Sequence, residues 1–566
     1  MKTLEEPSSS LSDHRSNRRD VTLRAVRQWA GERRIGQARL THAYDAAFLV
    51  AVSRLLQAIF RERHAPQARL WQCDVGQWFL DLGREPMLRA PVSGPLPFRR
   101  LELTGFPVKI VAGRRRLLRT TRAFLNALRP CVEPSELAQH FDRLIADFDN
   151  SFANLVLNRL IAQRLDANAQ AIEPVYEGHH YYPFPALRLG PSLRQVVECS
   201  NLSREAIDLT LVAARPCLFD SSEYADHRAC FRAWAGTPLP RNADVVIPLH
   251  PWQLDLSPVI RELLKRRWIA VLDRRIKAVP LASQRTCRIL RSGFDVKLPM
   301  AVTLTGEDRL LYPLNRANAA AFSSLARILL RASGEDTLDF QYDVASIAHA
   351  EPFIGMHLAV IVRAPVCARR AEIVVPALNL WCGPQQARTI LDLRRREHAN
   401  AFFRVYCRVL MRGVVDFYAR WGMAFEPHLQ NVYVALRDGM PSRMILRDLD
   451  STILDPRRIR PVARANGVRL AHGTWNHMPD FATGGRRLAH AMMYGHLGQV
   501  MSYLTRAANA DLAELSLAVE KTWDELTAQA PSAACRARVR DLRKQADTVG
   551  AVLSRRITRA DRTPFR

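Results

Sequence analysis

From Thr41 to about Arg63, apolar side chains return at helical spacing. Ala46, Phe48, Leu49, Val52, Leu55, Leu56 and Ile59 carry the period, which predicts a helix. A β-prone stretch follows around Leu101 to Ala112. Pro134 and Ser135 then open a second helical pattern to about Leu165, with Leu137, Phe141, Leu144, Ile145, Phe148, Phe152 and Leu155 on one face. Residues 1–20 are polar and low in apolar content, the composition of a disordered tail.

The middle third changes character. Short apolar runs such as Val245 to Leu249 alternate with Pro, Gly and Ser, a pattern of strands and loops. Trp268 to Leu281, Val296 to Leu304 and Phe353 to Val362 are expected as further strands. From about Ala387 the helical period returns, with Phe402, Val405, Tyr406, Val409, Leu410, Val414 and Phe417 in a stripe that Gly422 ends. Strands at Val432 to Leu436 and Met444 to Leu446 follow, then helices to the C-terminus. The layout is that of an α+β protein.

Charge alters this picture only modestly. The formal net charge is +27 from 82 basic residues, yet lysine is confined to Lys2, Lys109, Lys265, Lys277, Lys297, Lys521 and Lys544. Arginine is spread along the whole chain rather than gathered in a stripe or tail. That argues against a nucleic-acid-binding protein and for a taste for acidic ligands. The ten cysteines form no CxxC pair and suggest neither a zinc site nor a disulfide framework. The N-terminus lacks the apolar core of a signal peptide. No apolar run is expected to reach the ~18 residues of a membrane helix. The expectation is a soluble, cytoplasmic protein with no membrane and no nucleic-acid partner.

Three clusters could carry chemistry. Ser283-Gln284-Arg285-Thr286 places two hydroxyls around an arginine just after an expected strand, and a guanidinium offers a planar fork to phosphate or carboxylate. Lys297 opens the next expected strand, Thr305 closes it and Arg309 follows. On one straight strand, Lys297 and Thr305 would share a face. Most specific is Glu426-Pro427-His428-Leu429-Gln430-Asn431, then a strand, an Asp438-Gly439 turn and a second strand ending in Arg447-Asp448-Leu449-Asp450. A hairpin would bring both ends together, as protein kinases bring a catalytic-loop Asn to a metal-binding Asp. Asp448, with Asn431 or Glu426, is therefore a candidate Mg²⁺ site. Two lesser features are His250-Pro251-Trp252-Gln253, where His250 alone reads as a structural histidine, and His179-His180. Those two neighbours on a strand would face opposite ways and so rarely share one ion.

In order and spacing these clusters resemble the NRPS-independent siderophore synthetases, the IucA/IucC family, from about residue 135 to about residue 510. The resemblance rests on the His179 segment, HPWQ at His250 to Gln253, SxRT at Ser283 to Thr286, Lys297 through Thr305 to Arg309, ExHxQN at Glu426 to Asn431, and Arg447-Asp448. It implies a cupped hand of three lobes with a kinase-like palm: a helical thumb (21–170), strand-rich fingers (171–385) and a palm (386–566). It implies a ligase using ATP and Mg²⁺ that adenylates citrate or a related polycarboxylate, releases pyrophosphate, and passes the acyl group to an amine or alcohol with loss of AMP. It also implies a homodimer.

Ser283, Arg285, Thr286, Lys297 and Arg309 would hold ATP phosphates and the acid. Thr305 and His428 would contact the carboxylate or adenylate, and His179 would belong to the substrate pocket. Glu426, Gln430, Asn431 and Asp448 would position nucleotide and Mg²⁺. Arg285, Lys297, Arg309 and His428 would be the catalytic set. The family often shows GHPxHPxxKxRxG. Here His180, Tyr182 and Ala186 replace the first Pro, the second His and the Lys, while Arg188 and Gly190 are kept. That departure leaves the substrate open. A kinase-like small-molecule phosphotransferase is the alternative expectation.

Overall fold

The computed structural model describes residues 20–546 except 84, 95–97, 99, 133–135, 163–172, 174, 204, 215–230, 233–234, 236–244 and 383–395. The expected tail, the start of the Pro134 helix and the run from Ala387 to 395 lie outside the described residues.

The first expected helix runs Gln37–Arg61 and packs along Phe141–Ala162. Phe48, Phe124, Phe148 and Phe152 meet between them, with ring centroids 6.1–6.5 Å apart for the pairs in contact. Gln37–Arg61 is in fact long and apolar enough by length and composition to cross a membrane. Two thirds of its apolar window is buried inside the protein, so it is the core helix of this region. The region is also less helical than its periodicity suggested. Arg69–Gln72, Trp78–Leu82, Met87–Val92, Val108–Val111 and Arg114–Leu117 form a five-stranded antiparallel meander. These strands are only four to six residues long and show little periodicity, and the last, Arg-Arg-Arg-Leu, is exposed along its length. Only Val108–Val111 falls within the β-prone stretch.

A seven-stranded sheet forms the centre. Its order is Asp343–Ala348, Ala359–Arg363, Asp295–Lys297, Thr286–Ile289, Ile269–Pro280, Ile207–Ala214, Val245–Leu249. Two expectations fail here for stated reasons. Val296 to Leu304 is two strands, Asp295–Lys297 in this sheet and Met300–Leu304 in a three-stranded one. Pro299 lacks an N–H and breaks the ladder, so Lys297 and Thr305 do not share a strand face. Phe353 to Val362 is a helix, Pro352–His357, followed by a strand, Ala359–Arg363. Pro352 sits at a helix N-terminal position and Glu351 caps it, accepting from the N–H groups of Phe353 and Ile354.

The C-terminal third follows its sequence pattern closely. Arg396–Asp416 is a helix, extended by a π turn at Phe417–Trp421 that Gly422 ends at φ +80°. A Cβ there would come within 2.8 Å of Asp455 Cβ, so only glycine fits. Val432–Arg437 and Met440–Leu446 pair as the expected hairpin in a four-stranded sheet, and helices from Pro456 onward complete the described chain.

One core gathers the first region together with Tyr182, Phe184, Ala186, Met300 and Val302. A second gathers the C-terminal third with Val175 and Tyr181. The loop 178–187 thus plants adjacent tyrosines in two different cores, which fixes its position at their junction.

Candidate functional site

Gly178 begins that loop at φ +68°. A side chain there would strike Pro185 O at 2.2 Å, so glycine permits the tight return in which His179 N–H donates to Pro185 O at 2.7 Å. His179 Nδ1 accepts from the N–H groups of Tyr181 and Tyr182, each at 3.2 Å. His179 and His180 stack with centroids 4.7 Å apart. The backbone turns here instead of running as a strand, so the two rings lie together rather than on opposite faces. His428 approaches both, at 6.2 and 6.5 Å. Burial, then mutual repulsion with nearby cations, pushes His179 down to about 3. Burial, against the pull of Asp448, takes His428 to about 4. Both rings are neutral at physiological pH. His428 Nδ1 has no hydrogen-bond partner.

His179 and His180 line a cleft whose wall also includes Arg188, Ser283, Thr305, Arg309 and Gln430. Its cations have no acid. Arg188 is buried and held by the amide oxygens of Asn154 and Asn158, at 3.2 and 2.9 Å, and burial lowers it to about 10. Arg309 donates to Leu304 O at 2.8 Å and to Thr305 Oγ1, and its Nε is buried without a partner. Burial and then Arg285 lower its pKa. Arg285 donates to Leu310 O at 2.9 Å. Thr305 reaches its place through a Thr305-Gly306 turn with both residues at positive φ, the geometry that joins short antiparallel strands.

Beneath the cleft the cations are all paired. Lys297 Nζ donates to Asp448 Oδ1 at 2.6 Å and to both oxygens of Asp450 at 2.9 and 2.8 Å. Arg363 donates to Asp343 Oδ1 at 2.6 Å and also to Asp448. Burial would raise the Asp448 carboxyl, but Lys297 and Arg363 outweigh it and hold it well below the usual range. Asp343 shares Arg363 with two other acids, so burial wins there and lifts it to about 6. Asp448 sits at φ +69°, a strained conformation costing on the order of 1–3 kcal/mol.

Arg447 forms a bidentate pair with buried Glu173 at 2.7 and 2.8 Å. Glu173 also accepts from Tyr433 OH at 3.1 Å and from Ala282 N–H at 3.0 Å. One carboxylate therefore ties the hairpin end to the Ser283 loop. Within that loop, Ser283 Oγ accepts from Thr286 N–H at 3.1 Å, and Thr286 pairs with Lys297 across the central sheet. Arg447 N–H donates to Asn431 O at 2.9 Å, closing the hairpin as its two-strand pattern required.

The structure thus brings the 283–309 residues and the 426–448 residues to one place. It does not assemble the expected metal shell. Among the described residues no three His, Cys, Asp or Glu side chains gather as metal ligands. Asp448 is already neutralised by Lys297 and Arg363, and Asn431 Nδ2 donates to Glu426 O at 3.2 Å. Of the two acids, Glu426 is the less closely paired. Arg487 is 3.9 Å away, and burial outweighs it to raise Glu426 to about 7, aided by Glu307, Asp448 and Asp450. Asp448, Asn431 and Glu426 as a set do not fit a preformed Mg²⁺ site.

His250 is structural, as expected: its Nδ1 accepts from Trp252 N–H at 3.1 Å and caps Pro251–Leu256. Gln253 ties that helix to Ala301 N–H and His357 O, each at 2.7 Å. Sequence reasoning missed Glu173, Asp343 and Arg363. The one available signal was Arg363, a charge closing the apolar run Ala359–Arg363; Glu173 belongs to no motif.

Residues 168–380 match the model of the IucA / IucC family, and residues 400–564 that of the ferric iron reductase FhuF-like transporters. An uncharacterized protein of Sinorhizobium fredii is 25% identical over 74% of this chain and 77% of its own length. The rhizobactin siderophore biosynthesis protein RhbC of Rhizobium meliloti is 25% identical over 37% of this chain and 40% of its own. The L-2,3-diaminopropanoate–citrate ligase of Staphylococcus aureus is 25% identical over 22% of each. The fold is shared with the petrobactin biosynthesis protein AsbB of Bacillus anthracis (TM-score 0.75, 15% identity, 92% of this chain and 94% of that one). It is shared also with the ATP-bound aerobactin synthetase IucA of Klebsiella pneumoniae (TM-score 0.72, 16% identity, 86% and 93%). Residues 168–380 thus match the IucA / IucC family model, and the fold is the one shared by the solved structures of IucA and AsbB.

Proposed function

We propose that this protein is an ATP-dependent ligase of siderophore assembly that adenylates a carboxylate of citrate or a related polycarboxylic acid and joins it to an amine or alcohol. The observation that carries the reading is the cleft wall. Arg188 and Arg309 line the cleft and hydrogen-bond only to amide, carbonyl and hydroxyl oxygens. Buried cations without acids are costly, and a polycarboxylate beside a triphosphate supplies the missing charge.

In this reading the substrate carboxylate attacks the α-phosphorus, the bond to the β-phosphate oxygen breaks, and pyrophosphate leaves. The amine or hydroxyl then attacks the acyl carbon and AMP leaves with the electron pair of the anhydride oxygen. Arg285 and Arg309 stabilise charge gathering on the phosphoryl oxygens. Ser283, Thr286 and Thr305 orient the anions through their hydroxyls. His428, neutral and with Nδ1 free, accepts a hydrogen bond from the attacking amine. Lys297 acts through Asp448 by holding the hairpin end. In this reading Glu426 would be an acid that meets magnesium carried by ATP. The palm-like arrangement of Asn431, hairpin and Asp448 belongs to the same reading, as does the assignment of thumb, fingers and palm. The reaction would take place in the cytoplasm, where ATP is available.

The test is incubation with ATP, citrate and hydroxylamine. The expected result is AMP, pyrophosphate and citryl hydroxamate. ADP in place of AMP would instead establish a phosphotransferase, and no AMP with any of a panel of polycarboxylates would overturn the ligase.

A further inference from the structure

A second group of acid-free arginines lies behind the His179–His180 loop. Arg54 and Arg61 are seven residues apart on Gln37–Arg61 and so share one face. Arg100 joins them from the segment after the first meander strands. Their exposures are 4%, 2% and 0%. All three guanidinium nitrogens of Arg61 lack a hydrogen-bond partner, as do two of Arg100 and Nε of Arg54. Gln57 Nε2 and Tyr181 OH are buried and unpartnered as well. Arg61 lies over the Tyr181 ring at 4.0 Å, and Arg100 has one bond, to Gln499 Oε1.

The acids closest by charge are engaged elsewhere: Glu62 with His64 at 3.5 Å, and Glu102 with Arg506 and Ser502 at 2.5 and 2.9 Å. Burial, and then Arg54, lowers Arg100 to about 9. Three buried guanidiniums with unpartnered donors and no carboxylate bonded to them are the complement of a compact, multiply charged oxyanion.

We propose that Arg54, Arg61 and Arg100, with Tyr181 OH and Gln57 Nε2, form a second anion site for a phosphate- or polycarboxylate-sized ligand, separate from the cleft and bracing the loop that carries His179. Arg54 and Arg61 come from the first region, Tyr181 from the bridging loop and Gln499 from the helix Gly498–Ala507, so an anion here would join three segments distant in sequence. The proposal does not depend on which acid the cleft accepts.

Calorimetric titration of the full-length protein carrying Arg309→Gln, which disables the cleft, tests it. Inorganic phosphate, sulfate and citrate are each added at constant ionic strength in chloride. One or more should bind, and a preference for phosphate and sulfate over citrate, or the reverse, identifies phosphoryl or carboxylate as the ligand chemistry. Adding Arg61→Met and Arg100→Met should weaken that binding about 100-fold or more, as expected for loss of two charge-assisted contacts. Tyr181→Phe, which keeps the packing, should weaken it about 2- to 10-fold. Binding of no anion overturns the proposal, as does undiminished binding in the arginine variant; should that variant not fold, undiminished binding in Tyr181→Phe overturns it.

Discussion

The cleft wall and the layer beneath it hold the same kind of residue in opposite states. Arg188 is buried and Arg309 half-buried, and both hydrogen-bond only to amide, hydroxyl and carbonyl oxygens. Lys297, Arg363 and Arg447 are buried against carboxylates at 2.6–2.8 Å. A buried charge that is paired serves the architecture. One left unpaired serves a ligand, because the protein bears its desolvation until an anion arrives. The difference separates structural from functional arginines in a chain where arginine is otherwise everywhere.

The largest effect expected of that contrast is on stability. Glu173→Ala strands Arg447 without a counter-charge and should destabilise the fold by about 3–5 kcal/mol in chemical denaturation. Arg309→Ala should do the opposite: stability unchanged or higher, with AMP release lowered about 100- to 1,000-fold, or roughly 3–4 kcal/mol of transition-state stabilisation. If both variants lost stability equally, the distinction between the layers would fail.

Glu426 sharpens the comparison through pH. Its folded pKa of about 7 lies above the unfolded 4.5, so the native state binds more protons between those values and stability falls as pH rises through that window. Glu426→Gln should remove that fall, worth about 1–2 kcal/mol once its partial exposure is allowed for. Unfolding midpoints of the two proteins at pH 5 and pH 8 would show it. Smallest of all, Lys277→Ala breaks an ion pair with Asp208 whose side chains are 61% and 47% exposed. It should change stability by less than about 0.5 kcal/mol, which sets the baseline for pairs that do not matter.

Legibility in the sequence followed the locality of the cause. The hairpin of Val432–Arg437 and Met440–Leu446 was readable because its turn residues Asp438 and Gly439, both at positive φ, and its alternating flanks are neighbours in the chain. The stripe from Phe402 to Phe417 was readable for the same reason. The strands between Arg69 and Leu117 were not, since strands of four to six residues carry little periodicity. The break at Pro299 is local, but which sheet each side joins depends on partners far away in the chain. Glu173 was invisible: its partners Ala282, Tyr433 and Arg447 lie more than a hundred residues away.

The sequence alone determined the α+β character, the order of the chemistry-bearing clusters and the family they resemble, because local spacing and turn chemistry write these along the chain. Only the tertiary structure decided which arginines have acids and which do not. It also decided that Asp448 answers to Lys297 and Arg363 before any metal, and that Tyr181 and Tyr182 enter different cores. Those outcomes depend on distances between residues remote in sequence, and burial sets their energy.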